Sequence, residues 1–219
     1  MTTATTNYVD GQLSALLKAE TAEVHSDAEN SRFMTRLLDG QLTIKAVAEL
    51  TGQLYFLYEA LEQAVRANRE APETAAVYDE RLERLEALRA DLAYLYGDNW
   101  RGHISPLSAT EAYVAALNKI ADEKLAAEAL AHHYVRYLGD MSGGQVIARM
   151  FEKYYGLGDD GTSFYNFDAI GRIKPYRDAY RIRLNELNLS ADEKRRIVEA
   201  AKEAFTMNQA IFQALDERH

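Results

Sequence analysis

The sequence predicts a single all-α domain, and three observations carry that reading. Only three prolines and twelve glycines interrupt its 219 residues. The long stretches between them repeat apolar residues at a period near ~3.6, that of an α-helix. No convincing strand, hairpin, internal repeat or low-complexity linker interrupts the pattern. A chain of this length buries one sizeable core and needs no second. Hydrophobic residues make up 47% and charged residues 27%, the balance of a folded globular chain. The domain is expected to span residues 1–219, with roughly 1–9 and the last few residues flexible.

Taken in order, helices are expected at roughly 10–29, 31–38, 43–69, 75–96, 109–122, 125–155, 175–187 and 191–217. Ile44, Val47, Leu50, Leu54, Leu57, Leu61 and Val65 form one apolar stripe on the third. Leu82, Leu85, Leu88, Leu92 and Leu95 form another on the fourth. Ile197, Ala201, Ala204, Phe205, Asn208, Phe212 and Leu215 mark the last. Ser108 with Glu111, and Ser190 with Glu193, have the spacing of a capping box, which satisfies free N–H groups at a helix start. Pro175 suits a first helical turn, where its missing N–H costs nothing. Two long loops remain, one from Gly97 to Ser108 and one from Gly156 to about Ile170.

Charge and composition exclude several functions. The formal net charge is −9, so general nucleic-acid binding, which needs a basic face, is not expected. The chain contains no cysteine, hence no disulfide, thiolate metal site or iron–sulfur cluster. No apolar run reaches the ~20 residues of a membrane span, and the N-terminus lacks the basic and apolar parts of a signal peptide. A cytoplasmic protein is expected. Between Arg172 and Arg183, however, Arg172, Lys174, Arg177, Arg181 and Arg183 face only Asp178. Such a run reads either as a solvated helix face or as an anion site.

The least ordinary segment lies within 125–155. Helical sequence runs to Leu138, then Gly139, Gly143 and Gly144 appear, and helix resumes at Gln145. Each glycine costs about 1 kcal/mol relative to alanine in a helix interior. One glycine reads as a kink or a close helix contact. Three, with Gly139 and Gly143 one turn apart, suit a flat ligand lying against bare backbone. Asp140 can organise water beside that gap, or cap the second half of a broken helix; Ser142 has the same capping alternative. Adjacent His132 and His133 point some ~100° apart on a helix and are rejected as a metal pair.

The run from His133 to Gln145, His-Tyr-Val-Arg-Tyr-Leu-Gly-Asp-Met-Ser-Gly-Gly-Gln, closely resembles the distal-helix signature of the biliverdin-forming heme oxygenases. The resemblance extends over nearly the whole chain, through Leu17-Lys-Ala-Glu-Thr-Ala-Glu-Val-His25, Leu54-Tyr-Phe-Leu-Tyr-Glu-Ala-Leu-Glu62, Tyr180-Arg-Ile-Arg-Leu-Asn185 and Ala204-Phe-Thr-Met-Asn208. It implies a multi-helix fold with heme b between a proximal N-terminal helix and a glycine-kinked distal helix.

The resemblance also implies roles. His25 is the proximal iron ligand, through a neutral imidazole nitrogen, and Glu29 reaches its other ring nitrogen. Lys18 lies two turns before His25, roughly 10 Å along a helix, close to the distance from iron to a propionate. Arg177 and Arg181 meet the propionates, with arginine at 177 where many relatives have lysine. Tyr134 lies near a propionate, and Tyr58 hydrogen-bonds toward Asp140. Arg136, Phe205 and Asn208 line or support the pocket, and Ser142 and Gly144 are among the residues that bind the heme. Gly139 and Gly143 steer oxygen toward one meso carbon, and Asp140 delivers a proton through water. Heme is then both substrate and cofactor, cleaved with O₂ at the α-meso carbon to biliverdin, carbon monoxide and ferrous iron. The sequence has no dinucleotide fingerprint, so electrons come from a separate ferredoxin or flavoprotein reductase. The rival reading is a heme carrier or sensor without turnover, which needs neither Asp140 nor the glycines.

Overall fold

The computed structural model describes residues 7–219, and among these it contains helices and loops and no strand. The expected flexibility of residues 1–9 falls largely outside the described residues; Asn7 onward forms a turn. The first expected helix is two: α1, Leu13–Glu20, and α2, Ala22–Glu29. Thr21 separates them because its hydroxyl donates to the Leu17 carbonyl (2.7 Å), a back-bond that bends a helix. After α3, Arg32–Leu38, comes the long central α4, Ile44–Ala67. Val47, Leu50, Leu54, Leu57, Leu61 and Val65 are buried as the stripe requires, while Ile44 at its start is exposed. Burying each such side chain is worth about 1.5–3 kcal/mol.

The helix expected over 75–96 is broken into α5, Pro72–Ala75, a 3₁₀ turn, Glu80–Leu82, and α6, Leu85–Tyr96. The cause is a side chain from α4. The buried Glu62 carboxylate accepts the N–H groups of Arg84 (2.6 Å) and Leu85 (3.0 Å), ending one segment and starting the next. The loop after α6 leads to α7, Ser108–Asp122, which begins one residue before the expected helix, at the first residue of the expected box. Ser108 forms no side-chain cap there. Instead Gln53 of α4 accepts from the Leu107 N–H (2.9 Å) and the Thr110 hydroxyl (2.7 Å). The second expected box is present at Ser190 and Glu193.

The glycine segment follows α8, Ala126–His133, through a π-helical turn, Tyr134–Leu138, into α9, Gly139–Tyr155. The irregularity therefore sits just before the glycines, as one wide turn that re-aims the helix. His132 and His133 diverge onto different tyrosines: His132 meets Tyr113 of α7 (2.9 Å), and His133 meets Tyr180 (2.9 Å). Gly156 caps α9 in the left-handed conformation (φ 67°). The last helices are α10, Ile173–Glu186, with Pro175 in its first turn, and α11, Ala191–Asp216. At the C-terminal end, His219 meets Glu49 (3.2 Å), and Arg36 donates to both Asp216 and the His219 carbonyl. α4 packs against α6, α7, α8 and α11, while α11 also covers α2 and α3. A cleft lies open between α2 on one side and the π turn and α9 on the other.

Candidate active site

The cleft has two lobes that share His25, Glu29, Val135, Gly139 and Phe205. The deep lobe, an open cavity of about 720 Å³, is walled mainly by apolar groups from α3, α4, α9 and α11. The shallow lobe brings Lys18 of α1, Tyr134, Ser142, and Arg177 and Arg181 of α10 to one rim. The break at Thr21 does not separate Lys18 from His25; both still face this cleft.

On the α2 side, His25 is 46% exposed and its Nε2 lies 3.1 Å from the Glu29 carboxylate. The edge of Phe205 packs against the imidazole, centroids 5.4 Å apart. Glu29 thus contacts the ring as its i+4 spacing implies, and Nδ1 is the other nitrogen of that ring.

Opposite stands bare backbone. A Cβ built on Gly139 or Gly143 meets no atom within 4 Å, because it would enter the cleft itself. Gly144 differs: its Cβ would come 2.9 Å from the Tyr165 ring, so this glycine admits a neighbouring aromatic and does not itself line the cleft. The three glycines therefore have two causes. Ser142 is not a cap; its hydroxyl donates to the Leu138 carbonyl (2.5 Å) while lining the shallow lobe.

Behind the glycines lies a buried polar network. Asp140, 9% exposed, accepts from the Tyr58 hydroxyl and from Arg136 (3.3 Å). Arg136 also donates to Asn208 (2.8 Å) and toward the Tyr58 oxygen (3.3 Å). Burial pushes the Asp140 carboxyl up from its ordinary value, opposed by Arg136, Tyr58 and Arg84. The same burial raises the Tyr58 hydroxyl far above its ordinary range. Asp140 is thus a carboxyl whose charged form is costly, held by donors at the edge of an apolar cavity. That environment favours the protonated carboxyl more than water does, as suits a group that handles protons.

The rim is cationic. Arg181 pairs with Asp178 (3.2 Å), which Lys174 also holds (2.9 Å). Arg177 Nε is buried with no hydrogen-bond partner among the described residues, and burial with the nearby Arg181 pulls this guanidinium below its ordinary value. Arg183 turns away, donating to the Ala76 carbonyl (2.7 Å). The basic run is therefore divided: Arg177 and Arg181 face the cleft, Arg183 braces the fold, and Arg172 is exposed.

Sequence reasoning missed several walls of the deep lobe. Leu50, Leu54 and Phe212 were legible as apolar stripe residues but not as cleft residues. Phe164 and Tyr165 lie in the loop after Gly156, and two adjacent aromatics in a loop are the signal that this loop folds inward.

The heme oxygenase family model matches residues 11–214. Heme oxygenase 1 of Gallus gallus is 40% identical over 208 residues, covering 94% of this chain and 70% of the relative. Heme oxygenase 1 of Synechocystis is 36% identical over 205 residues, covering 93% and 85%. Among solved structures, heme oxygenase-1 from Synechocystis in complex with heme superposes with a TM-score of 0.90 at 34% identity, covering 95% of this chain and 94% of that one. The heme oxygenase from Leptospira interrogans gives 0.86 at 34% identity, covering 92% and 98%. Sequence, fold and cleft agree over nearly the full length, and the chain belongs to the heme oxygenase family.

Proposed function

We propose that this chain cleaves heme oxidatively to biliverdin, carbon monoxide and ferrous iron, with His25 as the iron ligand and Asp140 as the residue that handles the proton. The single observation that carries this reading is the placing of Asp140 on the same helix as the bare glycine wall that faces His25 across the cleft. Heme fits the residues present. Its flat apolar ring matches the deep lobe and the open faces of Gly139 and Gly143. Its carboxylate edge matches the rim, where Arg177 Nε lacks a protein partner. Lys18, Tyr134 and Arg181 complete that edge, and Phe205 buttresses the imidazole.

Bound heme supplies both the iron that activates dioxygen and the meso carbon that is oxidised. The chain's own residues do the rest. His25 offers a ring nitrogen to iron, at Nδ1 as the ring stands or at Nε2 once Glu29 gives way. Gly139 and Gly143 keep the opposite wall low, so a small molecule there is confined by backbone rather than by a side chain. Asp140 holds a proton at its carboxyl and orders water at the cleft edge, with Tyr58, Arg136 and Asn208 fixing its orientation. The cationic rim sets the in-plane rotation of the ring, and the α-meso carbon is the position opened. Electrons come from a ferredoxin or flavoprotein reductase, whose acidic surface complements that rim. No helix among the described residues is long and apolar enough to cross a membrane; the reaction is assigned to the cytoplasm.

The test is a hemin titration followed spectroscopically, then reductant added under air. Biliverdin formation is expected, and stoichiometric heme binding without biliverdin would make the chain a carrier. In His25→Ala, turnover is expected to fall while heme still binds through the walls and rim. Added imidazole should then restore part of the activity by taking the vacated position. Unchanged activity in the variant removes His25 from the mechanism.

A further inference from the structure

Outside the cleft, α6 carries a buried carboxylate for which the reaction has no evident use. Asp91 is 1% exposed, and its two oxygens accept the N–H groups of Ser163 and Phe164, each at 2.8 Å. The groups acting on it are these neutral donors and the Ser163 hydroxyl, with no cation among them. Burying a carboxylate without a counter-ion is expensive. An amide in its place could accept only one of the two N–H groups, because its nitrogen would face the other.

The turn that Asp91 grips is held at two further points. Gln145 of α9 donates to the Tyr165 carbonyl (2.8 Å), and Arg84 donates to the Asn166 carbonyl with its guanidinium over the Phe167 ring (4.3 Å). Two rings project from the turn into the deep lobe. Phe164 meets Tyr58 edge-on with centroids 5.0 Å apart, and Tyr165 packs into the gap left by Gly144. Tyr58 in turn donates to Asp140.

We propose that Asp91 is a positioning residue for heme cleavage: by fixing the Ser163–Asn166 turn it seats Phe164 and Tyr165 against Tyr58 and α9, and so shields the Asp140 network from water on the side away from the cleft and keeps it oriented. The proposal rests on the heme-cleavage reading for its consequence but can be measured without heme. The cost of a buried, unpaired carboxylate is explained if both N–H groups must be held at once. The charged and titratable groups around Asp140 are Arg136, Tyr58, Arg84 and, more distantly, Tyr165 and Tyr137. None of them needs to move for the effect, since burial is the first cause of the Asp140 shift.

Carboxyl ¹³C NMR of the ligand-free protein, with Asp140 assigned by its loss in Asp140→Asn, gives the pH at which this carboxyl titrates. In Asp91→Asn the loosened wall admits water, and that pH is expected to fall by about 1 toward the ordinary carboxylate value. Asp91→Glu, which keeps both acceptor oxygens, should return it toward the starting value. A role confined to stability would lower the unfolding midpoint and leave the Asp140 titration in place. An unchanged titration in folded Asp91→Asn overturns the proposal. If that variant does not fold, Gln145→Ala decides: it removes one peg from the same turn and should shift Asp140 in the same direction by less, and no shift overturns the proposal. Biliverdin formation by the unaltered chain is assayed alongside. Its absence would refute heme cleavage, whereas the Asp140 titration tests Asp91 independently.

Discussion

The two ends of the cleft are built on opposite principles. At the deep end, Tyr58, Arg136, Asp140 and Asn208 are all buried and bonded to one another, so each group depends on the others for its hydrogen bonds. At the rim, Lys18 is exposed, Arg181 shares Asp178 with Lys174, and several cations stand in reach of solvent. In a dry network, charge interactions are strong and a missing partner is not replaced; at a wet rim they are screened and water substitutes. The deep end can therefore dictate chemistry with few residues. The rim can only bias how a ligand lies, and does so by number.

The largest effect should come from breaking the deep end. Asp140→Ala leaves the Arg136 guanidinium buried with only Tyr58 and Asn208 beside it. Removing one partner of a buried pair typically costs about 3–5 kcal/mol, so chemical denaturation should show a loss of that order. Heme should still bind, because His25 and the rim are intact. Biliverdin formation should fall by about 100-fold or more, the usual contribution of a placed proton donor. A variant turning over at the normal rate would reduce Asp140 to a structural residue and erase the contrast between the two ends.

A smaller effect extends the dry region beyond the site. His132 and His133, next to the π turn, are pushed down to about 4 and about 3 by burial, with Arg183 adding to the second. Their folded values lie below the ordinary 6.5. Below that pH the unfolded chain takes up protons that the folded chain refuses, so stability is lost as pH falls toward the folded values. Each histidine contributes about 1.4 kcal/mol per pH unit in this window. Glu62, pushed up to about 6 by burial from 4.5, acts oppositely between those values, as do the raised carboxyls of Asp140 and Asp91, and together they offset part of the loss. Unfolding free energies at pH 7, 6 and 5 should therefore decline, and His133→Gln should flatten the slope. A slope unchanged in His133→Gln would show that this histidine is hydrated.

The same contrast explains what could be read from the sequence. The deep end announces itself: three glycines in six residues of helix, with an acid among them, form a pattern that packing alone rarely produces. The role of His25 came from the family resemblance alone; helical spacing added only that Glu29 can reach its ring. The π turn was not, since Tyr134–Leu138 carries an unbroken helical sequence and only the hydrogen-bond register differs. Nor were the breaks around α6 and the start of α7, where the periodic pattern continues but Glu62 and Gln53 take backbone N–H groups 22 and 54 residues away in sequence. Asp91 lies 72 residues from the first amide it holds. Polar side chains that bond distant backbone leave no local trace. Gly144 was legible as unusual, but its partner Tyr165, on a separate loop, was not.

The smallest effect belongs to the rim, and it bears on which meso carbon is opened. Heme is nearly symmetric except at its propionate edge, so contacts there must set its rotation in the cleft. Lys18 and Arg181 line the rim lobe from different helices, and Arg177 lines the same lobe. A partly exposed ion pair is worth about 0–1 kcal/mol, so losing two should weaken heme binding by less than about 30-fold. Orientation is more sensitive than affinity, because two rotations of the ring bury the same apolar area and differ only in these contacts. Lys18→Glu combined with Arg181→Glu should therefore give a mixture of biliverdin isomers from a protein that still binds heme, with the mixture sharpening as salt screens the reversed charges. Chromatography of the products decides it. Pure α isomer from the double variant would move the task to Arg177 and Tyr134, whose half-buried positions place them closer in character to the deep end than to the rim.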